Sequence, residues 1–113
     1  MHEMSLMESV MEIVEDEARK AGATSVKAVK LMIGELSHVE PEAMAFCFEA
    51  VIRGTLADGA KLEIERVPGQ GWCLDCAETV ALSERFGACP KCGNHRVQMT
   101  AGDEMRVAEL EVE

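Results

Sequence analysis

No run of about 18 apolar residues occurs in this chain, so no membrane-spanning helix is expected. A basic leader is missing as well: the N-terminus carries Glu3 and Glu8, and no secretory signal is expected. Cations are scarce. Eleven Lys and Arg stand against 21 Asp and Glu, a formal net charge of -10, which excludes broad attraction to nucleic acid. Residues 69–102 are no exception. Arg85, Lys91 and Arg96 are balanced there by Asp75, Glu78 and Glu84, and Trp72 and Phe86 are the only aromatics. That segment therefore has neither a basic stripe nor a stacking platform. No nucleophile–base–orienter set is apparent, which argues against hydrolysis. Internal repeats and low-complexity stretches are absent beyond two similar cysteine turns.

Those turns are Cys73-Leu-Asp-Cys76 and Cys89-Pro-Lys-Cys92. A Cys-x-x-Cys turn aims two thiolates at one point, and a hairpin that brings up a second turn completes a tetrahedron of soft donors. Gly93 supplies the tight backbone that such a knuckle needs. The spacing predicts a structural zinc site at Cys73, Cys76, Cys89 and Cys92. Two redox dithiols, two disulfides and a rubredoxin-like iron site are the alternatives, and four cysteines alone do not exclude iron. With five cysteines, an odd number, and four in metal spacing, a reducing cytoplasm is the expected location.

Along the chain, residues 4–21 read as an amphipathic helix. Leu6, Met7, Val10, Met11, Ile13, Val14, Ala18 and Ala21 fall on one half of the wheel, with Gly22 as the stop. Ser5 and Glu8 form a candidate capping box. Residues 26–36 read as a strand. Pro41 opens a second helix, with Gly54 just past its end. Lys61 to Val67 alternates as a half-buried strand, and Met105 to Val112 resumes strand character with a shift of apolar phase after Val107. The expected fold is α+β: two helices packed on a small mixed three-stranded sheet, with an inserted zinc-ribbon-like lobe. The expected domains are residues 1–67 plus 103–113, and a zinc-binding four-cysteine lobe over 68–102.

The chain opens Met1-His2-Glu3. A large second residue hinders removal of the initiator methionine, so the Met1 amine stays free. With the His2 amide it closes a five-membered chelate ring, and the His2 amide and Nδ1 close a six-membered one. The Glu3 amide is a further donor. Planar all-nitrogen coordination suits Ni(II) and Cu(II) and suits zinc poorly.

Met1-His2-Glu3, Val39-Glu40-Pro41-Glu42, the strand from Gly59 to Glu65 and the paired Cys-x-x-Cys together resemble the HypA/HybF family over essentially the whole chain. These are accessory proteins that insert nickel during maturation of nickel–iron hydrogenase, and some also serve urease. The resemblance implies a non-enzymatic metallochaperone. Nickel would bind at Met1, His2 and Glu3, and zinc at the four cysteines. The GTPase HypB and the hydrogenase large subunit would be the partners, without nucleic acid or membrane.

Several residues keep two readings. Glu3 is either a nickel donor or a helix-terminal acid. Glu40 is either an acceptor for the second His2 nitrogen or an exposed residue before proline. His95 is a further nickel donor or a solvated loop histidine. Cys47 reads as a buried, inert thiol. Met4, Met7 and Met11 read as core, with the Met4–Met11 edge offered to the GTPase. The rival functions are a zinc-ribbon interaction module, a rubredoxin-like electron carrier and a dithiol oxidoreductase.

Overall fold

A computed structural model describes residues 2–113; Met1, read above as the source of the nickel-binding amine, lies outside the described residues. Helix α1 spans His2–Lys20, starting two residues ahead of the sequence expectation. Ser5 is thus a helical residue and not a cap. Glu3 in the first turn and Arg19 and Lys20 in the last agree with the helix dipole. Gly22 ends the helix at φ 69. Its N–H donates to the Arg19 carbonyl, and the Ala23 N–H to that of Ala18, the paired bonds of a Schellman stop.

Strand β1 (Val26–Gly34) is central in a three-stranded sheet between β2 (Lys61–Val67) and β6 (Met105–Val112). Helix α2 (Pro41–Val51) lies in the connection from β1 to β2. The Glu35 N–H donates to Val67 O at the C-terminal ends of both strands, so β1 and β2 run parallel, as a crossover helix requires. Thr24 and Ser25 bond to Glu113, which sets β6 antiparallel to β1. The sheet is mixed, as expected. Its core comes from Met7, Val10, Val14 and Ala18 of α1, Val29 and Leu31 of β1, and Met44 and Phe48 of α2. Each is fully or almost fully buried, and each large apolar side chain stabilises the fold by about 1.5–3 kcal/mol. Lys30 bridges the strands, with Nζ 3.0 Å from Glu65 and 3.2 Å from Glu109.

The apolar arc of α1 is narrower than its sequence suggests. Met7 and Met11 are core, and Met4 is only partly exposed. The proposed methionine edge is therefore corrected: Met11 is unavailable to a partner. The large apolar side chain that α1 does expose is Ile13, at 49%.

The chain divides into two compact units, one of residues 1–32, 39–65 and 106–113, the other of 33–38 and 66–105. The second unit carries a further three-stranded sheet, β4-β3-β5, made of β3 (Gln70–Cys73), β4 (Glu78–Ala81) and β5 (Val97–Ala101). Both pairings with β3 are antiparallel, and the β3–β5 register shifts between Gln70 and Gly71. Three glycines of this unit meet backbone to backbone. A Cβ on Gly34 would lie 1.9 Å from Gly102 O, and one on Gly102 would lie 2.6 Å from Gly69 Cα. Among the described residues no helix is long and apolar enough to cross a membrane.

Candidate metal centres

Cys73 closes β3, Cys76 stands on the β3–β4 turn, and Cys89 and Cys92 lie on the loop between β4 and β5. The two turns have the same internal geometry. The Cys76 N–H donates to Cys73 Sγ at 3.4 Å, and the Cys92 N–H to Cys89 Sγ at 3.5 Å. The residue after each turn, Ala77 or Gly93, donates its N–H to the carbonyl of the first cysteine at 2.8 Å. Both take left-handed backbone, at φ 53 and φ 78.

That symmetry gives a prediction. Alanine in left-handed backbone is strained and glycine is not, so Ala77→Gly is expected to stabilise the lobe by about 1 kcal/mol and Gly93→Ala to cost about as much. A Cβ at Gly93 would meet nothing within 4 Å, so the cost is conformational alone. Thermal melts of the two variants, moving in opposite directions, check it.

The four sulfurs lie within 4.8 Å of one another. Cys73 Sγ is 3.7 Å from Cys92 Sγ, and Cys76 Sγ is 3.9 Å from Cys89 Sγ. A tetrahedral ion with metal–sulfur bonds of about 2.3 Å needs sulfurs about 3.8 Å apart, so the donor set fits zinc. Backbone N–H groups of Cys92 and Lys91 bring the Cys89 thiol down to about 7, and the neighbouring Cys92 and Cys73 thiols push Cys76 up to about 12. Cys89 thus meets a metal as thiolate near neutral pH, and binding drives protons off the rest.

Charged residues beside the cysteines hold the turns together, a role that sequence alone reads as mere charge balance. Asp75 accepts from Asn94 at 3.1 Å and from Arg96 at 2.9 Å, joining the first turn to the end of the second. Lys91 pairs with Glu78. His95 is exposed, with Nδ1 3.3 Å from Phe86 O. Cys47 is buried on α2, as expected of a core thiol.

At the other end of the sequence, His2 is exposed in the first turn of α1. Glu3 Oε2 accepts the Glu40 N–H at 3.3 Å. This matters because Glu40, the residue capping α2, makes no side-chain cap bond of its own. N–H groups of Glu3 itself and of Glu40 hold the Glu3 carboxyl below its ordinary value. Glu40 thus meets Glu3 through its backbone N–H while its carbonyl accepts the Met44 N–H, and the Glu3 carboxylate serves the start of α2. The first N–H groups of a helix have no intrahelical acceptor, so helix formation leaves the His2 amide uncommitted.

Comparison with known proteins sets this geometry in context. Residues 1–112 match the family described as hydrogenase/urease nickel incorporation, metallochaperone, HypA. The hydrogenase maturation factor HypA of Rhizobium leguminosarum bv. viciae is 67% identical over 112 residues, 99% of each chain. That of Methylocella silvestris is 61% identical over 113 residues, all of both. The solution structure of the Ni metallochaperone HypA from Helicobacter pylori superposes with a TM-score of 0.68 at 28% identity, covering 97% of this chain and 96% of that one. A second HypA solution structure gives a TM-score of 0.73 at 30% identity, covering 100% and 97%. The chain belongs to the HypA family of hydrogenase and urease nickel-incorporation metallochaperones, maturation factors and not enzymes.

Proposed function

We propose that this protein binds Ni(II) at its free N-terminus and delivers it to the nickel–iron hydrogenase large subunit together with the GTPase HypB. The Met1 amine, the His2 amide and imidazole, and a Glu3 donor would hold the ion. The observation that carries the reading is the head of α1: an exposed His2, an amide the helix does not use, and a Glu3 carboxylate tied to the start of α2. Such a site is open and terminal, which suits a cargo that must leave. Four thiolates close the coordination sphere and suit a resident ion. Zinc at Cys73, Cys76, Cys89 and Cys92 would fold the lobe over residues 68–102, while residues 1–67 and 103–113 would form the nickel-binding domain. Thiols kept reduced for a metal fit a cytoplasmic location.

Nickel titration of the untagged protein, followed by calorimetry, tests the N-terminal site. Extending the chain before Met1 turns the amine into an amide and is expected to abolish stoichiometric binding. Unchanged binding in the extended protein overturns the assignment.

A further inference from the structure

A chain of a nickel-incorporation family carries a second metal centre whose sulfurs nickel can also bind. Selectivity among such ions comes from geometry more than from raw affinity: zinc takes a tetrahedron, and Ni(II) accepts a square plane. In a tetrahedron the sulfur pairs of the two cysteine turns lie crosswise. To flatten it, one turn must rotate against the other until all four sulfurs share a plane. Whatever resists that rotation decides which ion the site keeps.

Two side-chain ties join the turns, and they are reciprocal. Asp75 and Lys91 occupy the same place, third in each Cys-x-x-Cys. Asp75 reaches Asn94 and Arg96 beyond the second turn, and Lys91 reaches Glu78 beyond the first. Asn94 and Glu78 match in turn, each two positions past the closing cysteine. Backbone bonds run beside the first tie: the Leu74 N–H donates to Arg96 O at 2.9 Å, and the Cys89 N–H to Asn94 O at 2.7 Å. Alone, that side is a hinge about which the second turn can swing. The Lys91–Glu78 pair fixes a separate point and opposes the swing. Both pairs include an exposed cation, and exposed ion pairs add little to stability. Their consequence is the orientation of the ligands.

We propose that this reciprocal clasp is a specificity device: Asp75 and Lys91, positioning residues and not ligands, hold the four sulfurs crosswise and so keep nickel out of the zinc site. The inference rests on the zinc assignment above and is independent of where the cargo binds.

The test starts from the full chain with zinc bound, incubated with excess Ni(II) and desalted, so that metal analysis gives the zinc displaced over time. Two double variants break both ties from opposite sides: Asp75→Ala with Glu78→Ala, and Lys91→Ala with Arg96→Ala. Loss of a partner that orients metal ligands costs roughly 10–100-fold. Each double variant is therefore expected to exchange zinc for nickel at least about tenfold faster than the wild type. The nickel taken up should be square planar and diamagnetic, with thiolate-to-nickel absorption bands and no paramagnetically shifted cysteine protons. Melting temperatures of the zinc-loaded variants should stay near the wild-type value. Lys91→Arg keeps a cation for Glu78 and should exchange like the wild type. Asp75→Asn with Glu78→Gln, which preserves side-chain shape, should also speed exchange and serves if a double alanine variant does not fold. The two alanine doubles change the charge near the sulfurs in opposite directions. If one speeds exchange and the other slows it, the local field sets the rate and the proposal is overturned. Tetrahedral, paramagnetic nickel in the variants also overturns it. A wild-type chain purified without a zinc equivalent overturns the zinc assignment and this proposal together; a zinc-loaded chain whose exchange is indifferent to the variants overturns this proposal alone.

Discussion

Removing the metal from the four-cysteine cluster, or replacing Cys89 with alanine, is expected to unfold the second unit. The reason is the size of its core. The buried cluster around the cysteines holds Cys73, Val80 and Cys89, with Cys76 and Val97 packed against it, and Ile33, Leu36 and Leu82 are further buried aliphatic side chains of this unit. At about 1.5–3 kcal/mol each, these few side chains fall well short of the roughly 1–2 kcal/mol per residue that ordering the unit costs. A structural zinc ion contributes about 10–16 kcal/mol near neutral pH, and that binding energy is folding energy. The first unit has its own metal-free core from Met7 to Phe48 and should persist. Trp72 is the sole tryptophan and sits on β3, so its fluorescence reports the second unit alone. The expected result is a red-shifted emission and loss of amide protection in β3, β4 and β5, with α1 and β1 still protected. Protection retained in β3 to β5 after the metal has gone would refute the account. Acid should act in the same direction. Protons compete with the metal for all four sulfurs.

His2→Ala is expected to lower nickel affinity by more than about a hundredfold, because losing even an outer-shell partner of a metal costs roughly 10–100-fold and His2 would be a direct donor. The side chain is exposed and packs in no core, so the melting temperature and zinc content should stay at wild-type values. This separates loss of a ligand from loss of the fold. Binding in the wild type should weaken in acid, since amine and imidazole must both shed protons to coordinate. If His2→Ala takes up one equivalent of nickel as tightly as the wild type, the ion sits elsewhere.

The strongly periodic segments were legible from residues alone. Lys61–Val67 and Met105–Val112 are strands over the expected ranges, and Pro41 does open a helix. The cysteine turns were legible because metal geometry is written in local spacing. Other features depend on what lies opposite in space. Strands β3 and β4 are four residues each, and Gln-Gly-Trp-Cys has little strand propensity of its own; pairing with β4 and β5 makes it one. The 26–36 strand ends at Gly34, where Ser37 turns back to bond the Gly34 carbonyl with both its N–H and its hydroxyl. Helix α1 starts before Ser5, and periodicity locates a helix better than its first residue. The links from Glu3 to Glu40 and from Asp75 to Arg96 join residues 37 and 21 positions apart, a separation across which local pattern carries no signal.

The glycine junction at positions 34, 69 and 102 has a consequence for how such a chain can be assembled over evolutionary time. With Gly69 and Gly102 backbone to backbone, the segment between them leaves and returns at nearly one point. A segment with adjoining ends adds little loop-closure entropy to its host, whatever its length. It can be acquired, lengthened or exchanged as a cassette, provided the two glycines at its doorway are kept. Selection on the metal turns and selection on the rest of the chain can then proceed almost separately.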